Sequence, residues 1–530
     1  MKYLAPLLSF VAAYTAAVAR LASASGAAPL ERPNIVWILV DDMSANFSCY
    51  GEKTIETPHV DRMAREGLRF SRAFVTAPVC SPSRSALITG MYQTSIGAQN
   101  HRSGRGSEKI YLPDGVTPLP ALFKQAGYYT AIGGGVAPGG KNPGAGKKPA
   151  GKKAAAKKAA GKPDGEESAG KGLGKTDYNF EYDRAMFDGP DWSGRADGQP
   201  FFMQVMLSGG KQRGGTTESA KKLSANAATV FGAALKPDAV VLPPYYPRDP
   251  VLLDDWAAYL DSVRMTDRKV GEILTRLASE GILDQTLVVF LTDHGISHAR
   301  GKQFLYDEGI HVPLVLRGPK TPRGAVRDDL VSHIDLAATS LAYAGIEIPN
   351  SMQGRDLFAS DFKPRDAVFA ARDRCDETVE HIRAVRTDRF KYVRNYLPAR
   401  PHLQPNNYKD GKSIVARLRE LHAEQKLDAM QEKLLFAPTR PAEELYDLAA
   451  DPFETRNLAD DPQHRATLET LRARLDRWVT ETGDRGAKSE SEARYDSDMR
   501  VYLAEKRTEA QRTVTETNIR QMKAWAAEGK

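Results

Sequence analysis

The stretch PNIVWILVDD (residues 33–42) runs through six consecutive apolar side chains, Ile35 to Val40, and stops on two aspartates, Asp41 and Asp42. A run apolar on both faces does not alternate as a half-solvated strand does. It fits a central strand of a mostly parallel sheet, covered by helices on each side. TLVVFLTDHG (residues 286–295) has the same form and ends on Asp293 and His294, and PFFMQVMLSGGK (residues 200–211) is a third such run. Helical patterns lie between them. TPHVDRMAREG (residues 57–67) has Thr57 as an N-cap and Gly67 as a stop, and a longer pattern spans residues 254–281. Strands alternating with helices predict an α/β fold: a large mixed, mostly parallel sheet sandwiched by helices. Polar chemistry is expected at the carboxyl ends of those strands.

The texture changes after residue 357. HIRAVRTDRFKYVRNY alternates as antiparallel strands do, ELYDLAADPFETRNLADDP reads as strand, turn and loop, and QHRATLETLRARLDRWVTETG as an amphipathic helix. The expected division is therefore a catalytic α/β domain over 33–357, a smaller C-terminal α+β domain with an antiparallel sheet over 358–484, and a charged helical tail over 485–530. No site is read in that tail.

The opening segment has Lys2, an apolar run and then small residues with Ala22 and Ala24 in an A-x-A relation. This is a secretory signal pattern covering 1–24, with an uncleaved N-terminal anchor as the other reading. No later run is apolar for long enough to span a bilayer. The mature protein is expected to be exported, to periplasm or medium, without stable membrane insertion. The formal net charge of +7 is misleading, because residues 141–171 hold nine lysines against Asp164, Glu166 and Glu167. That Lys/Ala/Gly-rich segment, taken as 136–172, has no large apolar residue with which to build a core and reads as a disordered insertion. No nucleic-acid partner is expected. Cys49, Cys80 and Cys375 are too scattered for a disulfide framework or a zinc cluster. Cys49 and Cys375 read as structural, as do His311 and His333.

Asp41, Asp42, Asp293 and His294 stand at two strand ends and suffice to hold one metal ion. Three carboxylates favour Ca²⁺ or Mg²⁺, and the imidazole leaves Mn²⁺ or Zn²⁺ open. Cys80 sits in APVCSPSRSALITG (residues 77–90), with Arg84 four residues on, in the first turn of a helix that begins near Pro82. Lys302 follows the second strand end. A metal, an arginine and a lysine around a nucleophile equip a site for an anionic sulfuryl or phosphoryl ester.

The C-x-P-S-R frame at Cys80, followed by SALITG, resembles the signature of the formylglycine-dependent sulfatases of the alkaline phosphatase-like superfamily. NIVWILVDD, TPHVDRMAREGLRFSRAF, AGYYTA, LTDHG, GKQFLYDEGIHVPLVLRGP and ELYDLAADPFETRNLADDP resemble that family in its order, over residues 33–462. The resemblance implies that a formylglycine-generating enzyme oxidises Cys80 to an aldehyde, whose hydrate attacks sulfur. It also implies that Cys80, as formylglycine, joins Asp41, Asp42, Asp293 and His294 around Ca²⁺, ahead of Mg²⁺ or Mn²⁺. Arg84 then supports the formylglycine, and Lys302 contacts sulfate. The substrate class it implies is sulfated carbohydrate.

Two departures from the family pattern stand out. The family's G-K-W-H is missing after GYYT, and KTDYNF resumes beyond the insertion, so Lys175 reads as the displaced family lysine. A histidine expected nine residues after Phe202 is replaced by Lys211. Lys211 either donates a proton to the leaving alcohol or only binds sulfate, with His298 as the other acid. His101, Arg102, Arg372 and Arg374 read as a polar rim for an anionic sugar. The competing readings are a phosphonate monoester or phosphodiester hydrolase of the same superfamily, and a non-catalytic binder of sulfated polymer. A two-zinc phosphatase is disfavoured, because no second set of His and Asp ligands is seen.

Overall fold

The computed structural model describes residues 32–135, 174–486, 488 and 490–530. The expected signal (1–24) and insertion (136–172) lie outside the described residues. The main sheet contains β1 (Asn34–Val40), β2 (Leu68–Phe74), β3 (Tyr129–Gly133), β4 (Phe201–Leu207), β5 (Thr286–Thr292), β6 (His311–Arg317), β7 (Ala325–Arg327) and β8 (Val331–Ser332). Their order is β3-β4-β1-β5-β6-β2-β7, with β8 beside β2. The half from β3 to β5 is parallel, and β6 runs antiparallel to both β5 and β2. The smaller sheet, β9 (Val368–Arg372), β10 (Ile382–Arg386), β11 (Phe390–Asn395) and β12 (Glu443–Asp447), is antiparallel in the order β12-β11-β10-β9. The mixed, mostly parallel sheet and the antiparallel second sheet match the architecture expected from the sequence.

The unbroken apolar run of β1 feeds two cores. Ile35, Trp37 and Leu39 enter one layer with Leu87 and Ile88 of the helix that follows Cys80. Val36, Ile38 and Val40 enter the other with Leu252, Tyr259 and Val263. Because side chains alternate across a strand, such a run is stable only between two helical layers.

The helices of interest are α1 (Pro58–Glu66), α2 (Cys80–Thr89), α3 (Pro250–Ser279), α4 (Arg465–Glu481), α5 (Glu492–Ala504) and α6 (Glu509–Ala527). Thr57 is the N-cap residue of α1, but its hydroxyl accepts from the Ser48 amide and donates to Asp61 instead of capping a helix amide. α3 begins earlier than its periodic pattern suggested, because Asp249 caps it by accepting from the Val251 amide and Pro250 takes its first position.

The charged tail folds back onto the loop that follows the helix Cys80–Thr89 and onto the loop between β9 and β10. Arg374 pairs with Glu490 and Asp498, and Arg102 pairs with Glu505. The Gly104 amide donates to Asp498 and the Tyr495 hydroxyl to the Glu377 carbonyl. Within the described residues, no helix is long and apolar enough to cross a membrane.

Candidate active site

Strand register builds the site. β1 and β5 pair in parallel with Val40 opposite Thr292, so Asp41 and Asp42 emerge beside Asp293 and His294. On the other flank Val40 pairs with Leu207 of β4, which sets the turn carrying Lys211 at the same sheet end. That turn needs its glycines, because a Cβ on Gly209 would lie 2.1 Å from the Asp41 carbonyl oxygen, and one on Gly210 equally close to that of Asp42. Further out, β3 pairs with β4, and the Gly174 amide donates to the Ile132 carbonyl of β3. Lys175 is thereby returned to the site from beyond the insertion.

Cys80 is the first residue of α2, and Arg84 follows one turn later on the same face. The helix begins at Cys80, two residues ahead of the expected start at Pro82, so the thiol sits at the helix N-terminus. Its Sγ lies 3.2 Å from Lys302 Nζ, 3.2 Å from His294 Nε2 and 3.5 Å from Lys211 Nζ. Lys302 also donates to Asp42 at 3.1 Å, and Lys211 to Asp41 at 2.7 Å. Lys175 lies 3.5 Å from Asp41 and 3.0 Å from Asp177. Arg84 bridges Asp41 and Asp293. Burial alone would push the Cys80 thiol up. The charges of Lys211, Lys302, Lys175 and His294 outweigh it and hold the thiol well below its ordinary range.

The same residues fit a divalent cation. His294 Nδ1 donates to the Gly295 carbonyl at 2.9 Å, so Nε2, 3.3 Å from Asp42 and 3.4 Å from Asp293, is the nitrogen that would ligate an ion on losing its proton. Asp42, Cys80 and His294 place their ligand atoms within 4.8 Å of one another. Burial, together with the neighbouring Asp41, pushes the Asp293 carboxyl up to about 6 despite His294 and Arg84. Arg84, Lys175, Lys211 and Lys302 pair with these carboxylates and hold Asp41 and Asp42 well below the usual carboxylate range, so a hard cation would share their oxygens with these side chains.

Above this floor opens a cavity of about 1050 Å³, lined by Cys80, Lys175, Lys211 and Lys302 together with His101 and Arg102. His101 is held 3.1 Å from Asp376, and the Arg102 amide donates to Ser81. Two expected rim residues, Arg372 and Arg374, do not line it, and neither does His298, the expected alternative acid. His298 is fully buried, with Nε2 2.7 Å from Asp255 and 2.9 Å from Arg213. Burial and Arg213 pull it down to about 3, so it is neither substrate ligand nor acid. Arg372 is buried over the Phe304 ring. Arg374 is buried between Glu490 and Asp498 of the tail. Ion pairing and packing consume these groups. His333 is structural, taking the Thr76 amide on Nδ1 and donating from Nε2 to the Ser83 carbonyl. His311 donates to the Ser71 carbonyl and stacks on Phe74.

Sequence reasoning missed a second group. Tyr408 donates to Asp42 at 3.3 Å and carries Lys302 and Lys412 over its ring. Lys412, Tyr502, Lys506 and Arg507 also line the cavity. Tyr408, in the short helix Asn407–Asp410, and Lys412, just beyond it, lie in PNNYKDGK, whose polar residues have no periodicity or motif to mark them.

A buried thiol at a helix N-terminus, flanked by lysines and a carboxylate–imidazole cluster at parallel strand ends, defines a hydrolase of the alkaline phosphatase-like class. The Sulfatase family model matches residues 33–346, and the model for the C-terminal part of N-sulphoglucosamine sulphohydrolase matches residues 294–434. The chain belongs to the sulfatase family and is a sulfuric ester hydrolase. It is 32% identical over 502 residues to an ulvan-active sulfatase of Formosa agariphila, covering 87% of this chain and 77% of that protein. Against the N-sulphoglucosamine sulphohydrolase of Homo sapiens it is 29% identical over 477 residues, covering 85% and 90% of the two chains. The fold is shared with a solved 2-O GAG sulfatase at a TM-score of 0.55 and 21% identity, over 88% of this chain and 96% of the other.

Proposed function

We propose that this protein is an exported sulfatase acting on sulfate esters of a sulfated carbohydrate. Its nucleophile is a formylglycine hydrate made from Cys80. One divalent cation, Ca²⁺ ahead of Mg²⁺ or Mn²⁺, is held by Asp41, Asp42, Asp293 and His294. The observation that carries this reading is the convergence of Lys302, Lys211 and His294 on Cys80 Sγ, all within 3.5 Å. The substrate class is supported by the ulvan-active and N-sulphoglucosamine relatives, and export by the apolar opening segment.

A bound cation supplies Lewis-acid stabilisation of charge on the nucleophile and on sulfate oxygens. The aldehyde hydrate supplies two hydroxyls on one carbon, one to attack and one to expel sulfate. Lys302 and Lys211 bind the non-bridging sulfate oxygens, since their ammonium groups already flank the Cys80 side chain. Although burial acts against its charge, Lys211 is held protonated by Cys80, Asp42 and Asp41. It therefore has an N–H to offer an oxyanion. Arg84 fixes Asp41 and Asp293, and the Gly295 carbonyl fixes the His294 tautomer.

The test is co-expression with a formylglycine-generating enzyme, mass spectrometry of the peptide bearing residue 80, and turnover of an aryl sulfate beside an aryl phosphonate monoester. Conversion of Cys80 and preference for the sulfate are expected. Full activity in protein whose Cys80 is wholly unmodified rules the mechanism out.

A further inference from the structure

Part of the cavity wall comes from the tail. Tyr502, Ala504, Glu505, Lys506, Arg507 and Gln511 line the same space as Cys80. This wall is anchored. Arg374, 2% exposed, pairs with Glu490 and Asp498, while Asn518 donates to Glu377, whose backbone carbonyl accepts from Tyr495. A segment tied down by buried ion pairs presents its side chains at little further entropic cost on binding.

The cations of the cavity fall into two sets. Lys175, Lys211 and Lys302 are committed to Asp41, Asp42 and Asp177 beside Cys80. Arg102 is committed to Glu505. Lys412, Lys506 and Arg507 have no carboxylate within ion-pair distance among the described residues. The Lys506 ammonium lies 3.3 Å from the Tyr502 ring centroid, and that of Lys412 lies 4.8 Å from the Tyr408 centroid and donates to the Gly214 carbonyl. Carboxylates near Lys506 are spoken for: Asp376 holds His101, Glu377 takes the Asn407 amide and Asn518, and Glu505 holds Arg102. Ammonium groups resting on aromatic faces, without counter-ions, in a polar cavity are preorganised for an anion.

Resting on the sulfatase reading above, we propose that the C-terminal segment is a specificity element of the active site. Lys506 and Arg507, with Lys412, bind a second anionic group of the saccharide whose scissile sulfate lies at Cys80. That group is a carboxylate or a further sulfate, and the substrate class is accordingly a polyanionic saccharide carrying at least two charges. Tyr502 and Tyr408 hold the Lys506 and Lys412 ammonium groups in place for it.

The experiment compares kcat/KM for three oligosaccharides of equal length: one with the scissile sulfate alone, one with an added uronate carboxylate, one with an added sulfate. An aryl sulfate serves as reference. In the Lys506→Ala/Arg507→Ala protein the ratio of kcat/KM for either dianionic saccharide to that for the aryl sulfate falls at least tenfold. In Lys506→Glu/Arg507→Glu it falls further, and in both the loss resides in KM. Whichever dianionic saccharide shows the larger loss identifies the group bound. Independently of turnover, calorimetry on Cys80→Ala protein should show tighter binding of the dianionic than of the monosulfated saccharide, with the difference abolished by the Lys506/Arg507 changes. Ratios and affinities that stay within twofold across all variants overturn the subsite. Failure of the unaltered protein to cleave any sulfate refutes the catalytic reading instead, and the calorimetric arm still decides the subsite.

Discussion

Replacing Arg374 by methionine tests whether the tail is held to the active-site rim by a buried ion pair. The Arg374 guanidinium donates to Glu490, to Asp498 at 2.7 Å, and to the carbonyls of His101 at 3.3 Å and Asp376 at 3.0 Å. The Arg374, Glu490 and Asp498 side chains are 2%, 6% and 1% exposed. Methionine fills much of the same volume but strands two carboxylates out of water. Removing one partner of a buried pair costs about 3–5 kcal/mol. Charged to the tail alone, that raises the equilibrium for its opening roughly 150- to 5000-fold. The measurement is native-state hydrogen exchange on amides of α5, with β1 as the internal reference. Exchange in α5 should accelerate by roughly two to nearly four orders of magnitude, while β1, whose apolar side chains fill both cores, stays slow. The triple variant Arg374→Met/Glu490→Gln/Asp498→Asn should recover most of the protection, since no uncompensated charge remains buried. Acceleration below tenfold in the single variant, or no recovery in the triple, refutes the reasoning.

Other expectations concern the floor of the site and its surroundings. Cys80→Ser in otherwise competent protein should accumulate a sulfated serine, seen as a sulfate-sized mass increment on that peptide, because serine lacks the second hydroxyl; an unlabelled peptide after prolonged incubation with substrate counts against the mechanism. Chelation of divalent cations should lower both activity and thermal stability, with Ca²⁺ restoring both, because Asp41, Asp42 and Asp293 are otherwise crowded together; stability indifferent to chelator and to Ca²⁺ would discount the site. For His298 the folded value is about 3, below its unfolded value, so the folded state binds fewer protons between the two. The stability this contributes is present above pH 6.5 and is lost as pH falls toward 3. Denaturant melts from pH 7 to 5.5 should show a slope that His298→Gln removes, and an unchanged slope would contradict the buried neutral imidazole.

Much of the catalytic floor was legible in the chain because it is written in short contiguous pieces. A strand apolar on both faces must be central, and an aspartate pair at its end must meet whatever lies at the end of the next such strand. Thus Asp41, Asp42, Asp293 and His294 could be grouped before any coordinates, with Cys80 and Arg84 joined to them by the family resemblance of their frame. Lys175 was reachable only by resemblance across the insertion, and the parallel pairing of β3, β4 and β1 explains its return.

The rest depended on contacts between distant segments, which no local pattern encodes. His298 read as a strand-end acid, yet α3 buries it against Asp255, 43 residues away in sequence. Arg374 read as a sugar-binding group, yet its carboxylates lie 116 and 124 residues further on, in a charged tail in which no site was read. Whether a lysine or arginine meets a substrate or a carboxylate depends on which chain segment packs opposite it. Composition and periodicity determine which faces are buried, so they determined the sheet and the polar residues at its strand ends; only the tertiary structure decided which charges were left without a partner.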